Sequence, residues 1–236
     1  MKGMKISIFA LSAAMLFSGC SMSNTAKGGL IGGGGGGALG ALVGGLIGGG
    51  KGAAIGTAVG AAVGGGAGVL IGRKMDKAKE AAEAANAKAE VLTDANGTQY
   101  VKATFSSGIL FKTGSSTLSS AAASDLNSFV SNLKAEDNTY NIAICGFTDN
   151  QGWMNSTAEQ SKAKNVALSL QRAQAVQSQL IGAGYNSSYI ISVKGYGEDN
   201  PVASNATAAG QEQNRRVEVY ILPSKEMIQA ANDQSK

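Results

Sequence analysis

An α/β fold, with helices packed on one sheet and a glycine-lined helical hairpin ahead of it, is what this sequence predicts from three observations. From about Tyr100, short runs with strand alternation take turns with runs of helical periodicity. Between Gly28 and Gly72, glycine returns at every fourth position without a break, close to the helical period. Ahead of both, Met1 to Cys20 has the form of a cleaved leader rather than a fold element.

The leader has a basic start with Lys2 and Lys5, an apolar run from Ile6 to Phe17, and the small residues Ser18 and Gly19 before Cys20. This resembles a bacterial lipobox, although Phe17 stands where leucine is most often found. The resemblance implies a lipoprotein signal over 1–19, lipidation of Cys20 and a lipid-anchored tether over 20–27. Removing Lys2 and Lys5 with the leader lowers the net charge from +4 to +2. Cys145 is then the one remaining thiol, so no intramolecular disulfide is expected; in a strand it reads as a small packed hydrophobe. With no histidine and no cysteine cluster, zinc sites and histidine-dependent triads are excluded, and no metal, cofactor or catalytic residue is expected.

Of the 34 glycines among 236 residues, 22 lie between Gly28 and Gly72, so the rest of the chain can bury an ordinary core. In water each helical glycine costs about 1 kcal/mol relative to alanine. A glycine stripe with Leu, Ile, Val and Ala between its members suits close helix packing in lipid or in a tight assembly. Lys51 divides the stretch into arms of 23 and 21 residues, Gly28 to Gly50 and Gly52 to Gly72. At 1.5 Å per residue each reaches about 32–35 Å, enough to cross a bilayer. A glycine-zipper membrane hairpin over 28–72 is the expectation. A disordered glycine-rich linker is the plainer alternative. Gly45 to Lys51 also fits a phosphate-loop pattern, but Gly52 stands where a Ser or Thr belongs.

Residues 73–99 open with charges interleaved among alanines, Arg73 to Glu90, and read as a solvated helical spacer without an apolar face. From Val91 onward 11 basic and 12 acidic residues leave no basic face, so nucleic acid is not an expected partner. The folded domain is placed at 100–223. Val101 to Phe105 and Ile109 to Phe111 read as strands. Ser119 to Lys134 reads as a helix with Leu126, Phe129, Val130 and Leu133 on one face. Tyr140 to Phe147 follows as a strand, Lys162 to Ile181 as a helix, then Tyr189 to Lys194 and Arg216 to Leu222 as strands. Residues 224–236 are expected to be a tail.

GFTDNQG at 146–152, NVALSLQRA at 165–173, GYGEDNP at 195–201 and SNATAAGQEQNRRVEV at 204–219 resemble, in that order, the OmpA-like domain family. With its lipoprotein-like front end and glycine zipper, the chain is similar to the YiaD type of outer-membrane lipoprotein. The resemblance implies an α/β (α+β) domain in a βαβαβ-β order, helices on a mixed sheet, that binds the peptide stem of peptidoglycan without cleaving it. The stem's meso-diaminopimelate carries an ammonium and a carboxylate on one carbon. The resemblance puts Asp149 on the ammonium and Arg172 on the carboxylate, a charge-assisted pair that gives specificity without chemistry. Asn165 and Arg215 match further ligand-facing positions, with Thr148 and the backbone around Asn150 completing the pocket. Asp149 followed by Asn150 and Gly152 also fits a plain Asx turn, and Arg216 a salt-bridged strand residue. Three departures bear on the site: a longer link of WMNSTAEQSKAK between Asp149 and Arg172, Phe147 in place of histidine, and Lys112 on a rim that is acidic in the family.

The expectation is a non-enzymatic tether, lipid-anchored in the outer membrane with its OmpA-like domain in the periplasm. Its expected partners are peptidoglycan and membrane lipid. The alternative is an oligomeric assembly or pore subunit in which zippers pack chain against chain. A proton-driven stator is disfavoured, since no carboxylate lies between Gly28 and Gly72.

Overall fold

A computed structural model describes residues 65–93, 98–137 and 139–235. The leader, Cys20 and the zipper up to Gly64 lie outside these residues. The described chain runs α1 (Gly65–Glu83), β1 (Lys88–Thr93), β2 (Gln99–Ser106), α2 (Ser107–Leu110), α3 (Ser120–Glu136), β3 (Asn141–Phe147) and α4 (Ala158–Gly182). It continues through a 3-10 turn (Ser187–Tyr189), β4 (Ile190–Gly195), α5 (Ala208–Asn214), β5 (Arg216–Leu222) and α6 (Lys225–Gln234).

The five strands form one mixed sheet in the order β1-β2-β5-β3-β4. Every neighbouring pair is antiparallel except β3 with β4. That parallel pair needs a long crossover, which α4 supplies. Strand alternation sends Val101, Ala103 and Phe105 of β2, Ile142 and Ile144 of β3, and Val217, Val219 and Ile221 of β5 into the main core with the helices. On the other face Tyr100, Ala143, Cys145, Phe147, Tyr220 and Leu222 form a smaller cluster. Cys145 packs there as a small hydrophobe, its thiol pushed up to about 12 by burial and then by the charge of Glu218.

α1, which runs from the end of the expected hairpin into the expected solvated spacer, has a buried face. Ala67, Ile71, Met75, Ala78 and Ala82 of α1, spaced as one helical stripe, are each 2% exposed or less. Alanine methyls make a weakly hydrophobic stripe by hydropathy, yet their small size lets the helix lie close on the sheet. Lys74 bonds Asp137 at 2.7 Å and its carbonyl accepts from the Tyr140 hydroxyl, tying α1 to the start of β3. Burial alone would raise the Asp137 carboxyl, but its hydrogen bonds from Lys74 and Thr139 outweigh that and lower it. Gly65 to Gly72 therefore belong to a helix of this domain. Among the described residues no helix is long and apolar enough to cross a membrane.

Three further elements differ from the sequence reading. Lys88–Thr93, within the expected spacer, is an edge strand paired through Ala89 to Ala103 and Val91 to Val101. Ile109 to Phe111 is not a strand: Ser107–Leu110 make a helical turn, and Phe111 forms only a single bridge to Leu118. The expected tail holds α6, capped by Ser224, with Met227, Ile228 and Ala231 buried in the core shared with α1.

Candidate functional site

The site lies where α4 crosses the ends of the sheet, and glycines set how closely it does so. A Cβ on Gly146 would stand 2.0 Å from the Ser169 carbonyl oxygen, and one on Gly195 would stand 2.3 Å from the Leu170 nitrogen. Only bare backbone fits at these positions. The helix starts at a capping box, Thr157 with Gln160. Its buried stripe changes along its length: Ser161, Asn165, Ser169 and Arg172 in the first half, Ala173, Val176 and Leu180 in the second. The apolar half anchors it on the core, and the polar half lines the strand ends. The segment expected as an insertion contributes a turn with Asn155 at φ 55° and the first turn of this helix.

A cleft of about 450 Å³ results, lined by Ser107, Thr148, Asp149, Trp153, Arg172 and Arg215 among others. Asp149 is 7% exposed. Its Oδ2 accepts from Arg215 Nη1 at 2.5 Å and its Oδ1 from the Gln151 amide at 3.2 Å, so it is both ion-paired and the head of an Asx turn. Arg172 does not pair directly with Asp149. Its Nε donates to the Ser115 carbonyl at 2.9 Å, and its guanidinium lies over the Phe111 ring at 5.3 Å. Among the described residues its Nη groups take no acceptor. Burial first, then the charge of Arg215, lower its pKa, against a smaller opposing effect of Asp149. Two guanidiniums thus face one carboxylate that is already engaged.

Two hydroxyls in the cleft, Thr148 Oγ1 and Ser107 Oγ, are buried and have no hydrogen-bond partner. Asn165 lines the cleft as well, with its side-chain amide engaged in the wall. Its amide nitrogen donates to the Gln151 carbonyl and Glu198 Oε2, and its oxygen accepts from Trp153 Nε1 at 2.8 Å. It shapes the wall by holding the 151–153 loop, with Trp153 folded over it. Asn150 is exposed and outside the cleft lining, as is Lys112. Phe147 is packing, stacked on Tyr196 at 5.4 Å and covered by Arg216 at 3.8 Å, and Arg216 is ion-paired with Glu218 at 2.7 Å. Among the described residues no group of three or more metal-ligating side chains forms.

Phe111 was not foreseen as a site residue because it read as the end of a strand, and Ser107 and Ser115 because no motif or periodicity marks them. Asn214 was also missed: it is fully buried and accepts from the Val202 and Ala203 amides while donating to the Ala203 carbonyl and Asn205. It clasps the 202–205 loop one residue before Arg215. Its place directly before the paired arginines was the available signal.

Residues 110–215 match the model of the OmpA family. This stretch is an OmpA-family domain. Residues 1–76 match the YMGG-like glycine-zipper model. Motility protein B of Bacillus subtilis is 45% identical over 94 residues, which is 40% of this chain and 34% of that protein. Probable lipoprotein YiaD of Escherichia coli is 38% identical over 115 residues, 49% of this chain and 48% of that one. Peptidoglycan-binding protein ArfA of Mycobacterium tuberculosis is 40% identical over 96 residues, 41% of this chain and 26% of that one. The chain thus spans half or less of the length of these relatives. Among solved structures, a MotB-like protein from Desulfovibrio vulgaris superposes with a TM-score of 0.53 at 23% identity, over 66% of this chain and 94% of that one. That superposition shows the fold.

Proposed function

We propose that the chain grips peptidoglycan without covalent chemistry through this cleft and tethers it to the outer membrane. The observation that carries the reading is a buried guanidinium, Arg172, that is anchored by Nε and turns unengaged Nη groups to a cleft shared with Asp149, Arg215 and two unpartnered hydroxyls. Such a set suits a ligand that carries a carboxylate and an ammonium on one carbon, as the diaminopimelate of a stem peptide does. The carboxylate docks on Arg172, and the ammonium joins Arg215 at the Asp149 carboxylate, which has acceptor sites to spare. A relative named for peptidoglycan binding and another named as a lipoprotein support the two ends of the tether. In this reading lipidated Cys20 supplies the membrane anchor, backed by the glycine-rich segment, since one acyl chain alone holds only marginally.

The test is co-sedimentation of the detergent-solubilised full chain with diaminopimelate-type sacculi. Wild type is expected to pellet, and Asp149→Ala and Arg172→Ala to stay in solution. A wild type that stays in solution removes the wall-binding reading. A second reading, self-assembly through the zipper, draws on the glycine-zipper match over residues 1–76. Discrete oligomers on cross-linking of cysteines placed in that segment support it, whereas monomers leave the simple tether.

A further inference from the structure

The ends of three adjacent strands carry one row of residues. In the register, Ser106 of β2 and Phe147 of β3 both pair with Arg216 of β5. The next level is therefore Ser107, Arg215 and Thr148, and the Ser107 amide continues the ladder by donating to the Arg215 carbonyl at 2.9 Å. Side chains at this level point to the face opposite Phe147 and Arg216, toward α4 and the cleft. All three line it. The two outer members are the unpartnered hydroxyls, on residues only 2% and 4% exposed. A buried hydroxyl without a partner is a standing cost to the fold.

We infer that Ser107 is a second ligand contact, reading a polar group of the ligand two strands away from the end held by Thr148 and Asp149. Strand spacing puts Ser107 and Thr148 about 10 Å apart. A ligand that satisfies both must be long, with polar groups at each end and a less polar middle to pass Phe111 and the Arg215 stem. Diaminopimelate within a stem peptide has that form: a free ammonium-carboxylate head, three methylenes, and a second head whose nitrogen and carbonyl are built into amide bonds or end as a carboxylate. The free head sits at Asp149 and Arg172; the Ser107 hydroxyl bonds the second head. This assignment rests on the peptidoglycan reading, and it adds that the cleft measures the length of the residue as well as the charge of its free end.

Isothermal titration of the full chain in detergent micelles with L-alanyl-γ-D-glutamyl-meso-diaminopimelate tests it. Ser107→Ala is expected to weaken binding about fivefold, the loss of one hydrogen bond, and to leave the melting temperature of the unliganded protein equal or higher. Asp149→Ala abolishes binding in the same assay. Unchanged affinity in Ser107→Ala, within a factor of two, with Asp149→Ala still abolishing binding, overturns the role of Ser107 and spares the wall-binding reading. A lowered melting temperature together with weakened binding makes Ser107 structural and also overturns it. A wild type that does not bind the tripeptide overturns both.

Discussion

Arg172 combines an anchor and a grip in one side chain. Nε is fixed on the Ser115 carbonyl and the plane is held over Phe111, so the Nη pair is presented with little freedom left to lose. The cost appears in the lowered pKa, where burial and the like charge of Arg215 outweigh the pull of Asp149. Arg172→Met keeps much of the volume and removes the charge. It is expected to leave unfolding free energy within about 1 kcal/mol of wild type, or to raise it, while sacculus binding is lost. A melting temperature lowered by several degrees in a thermal scan would show that the guanidinium serves mainly to hold the fold. Asp149 and Arg172 were legible in sequence through their motifs. That Asp149 meets Arg215 was not, because spacing along the chain says nothing of which guanidinium reaches a carboxylate from a neighbouring strand. Ser107 was invisible for a similar reason: a missing partner is a property of the folded surroundings.

At the scale of elements, the site is a consequence of how near α4 comes to β3 and β4. Gly146 and Gly195 set that distance, and Arg172 lies one turn beyond Ser169, the residue Gly146 touches. Gly146→Ala must push against helix backbone rather than a flexible side-chain end. It is expected to cost about 1–3 kcal/mol and, by shifting α4, to weaken tripeptide binding at least tenfold. Gly182→Ala, at the far end of the same helix with nothing near its Cβ, is the control and should raise stability by about 0.5–1 kcal/mol. Equal melting curves and affinities for the two variants would mean that helix position does not set the site. The strands and long helices were legible because their alternation and apolar stripes are strong. The early start of α4 was not, since Ala158 to Ser161 carry no apolar residue larger than alanine to extend the stripe, and the buried polar face of Asn165, Ser169 and Arg172 looks solvated until the cleft it lines is known. The alanine stripe of α1 failed in the same way, being too weakly apolar to stand out among its charges.

The molecule as a whole is larger than its family match. The OmpA-family model covers residues 110–215, yet α1, β1 and β2 before it and β5 and α6 after it share its core or its sheet. α1 covers the sheet face that Val101, Ala103 and Phe105 present, and it leads back toward the glycine-rich segment, so the helix nearest the proposed anchor is also a wall of the binding domain. Cutting the chain before Gln99 would remove β1 and α1 together and uncover that face. Losing the buried Ile71 and Met75 with the alanine stripe is worth about 5 kcal/mol or more, comparable with the whole stability of many domains. A fragment 98–236 is therefore expected to melt roughly 10–20 °C below a fragment 65–236 and to bind sacculi poorly, as followed by circular dichroism and co-sedimentation. Equal melting temperatures would detach α1 from the domain and return it to the role of a spacer. The expected gap follows from α1 being built into the domain rather than leading up to it, with Lys74 on Asp137 and the Tyr140 hydroxyl on the Lys74 carbonyl fixing it beside β3.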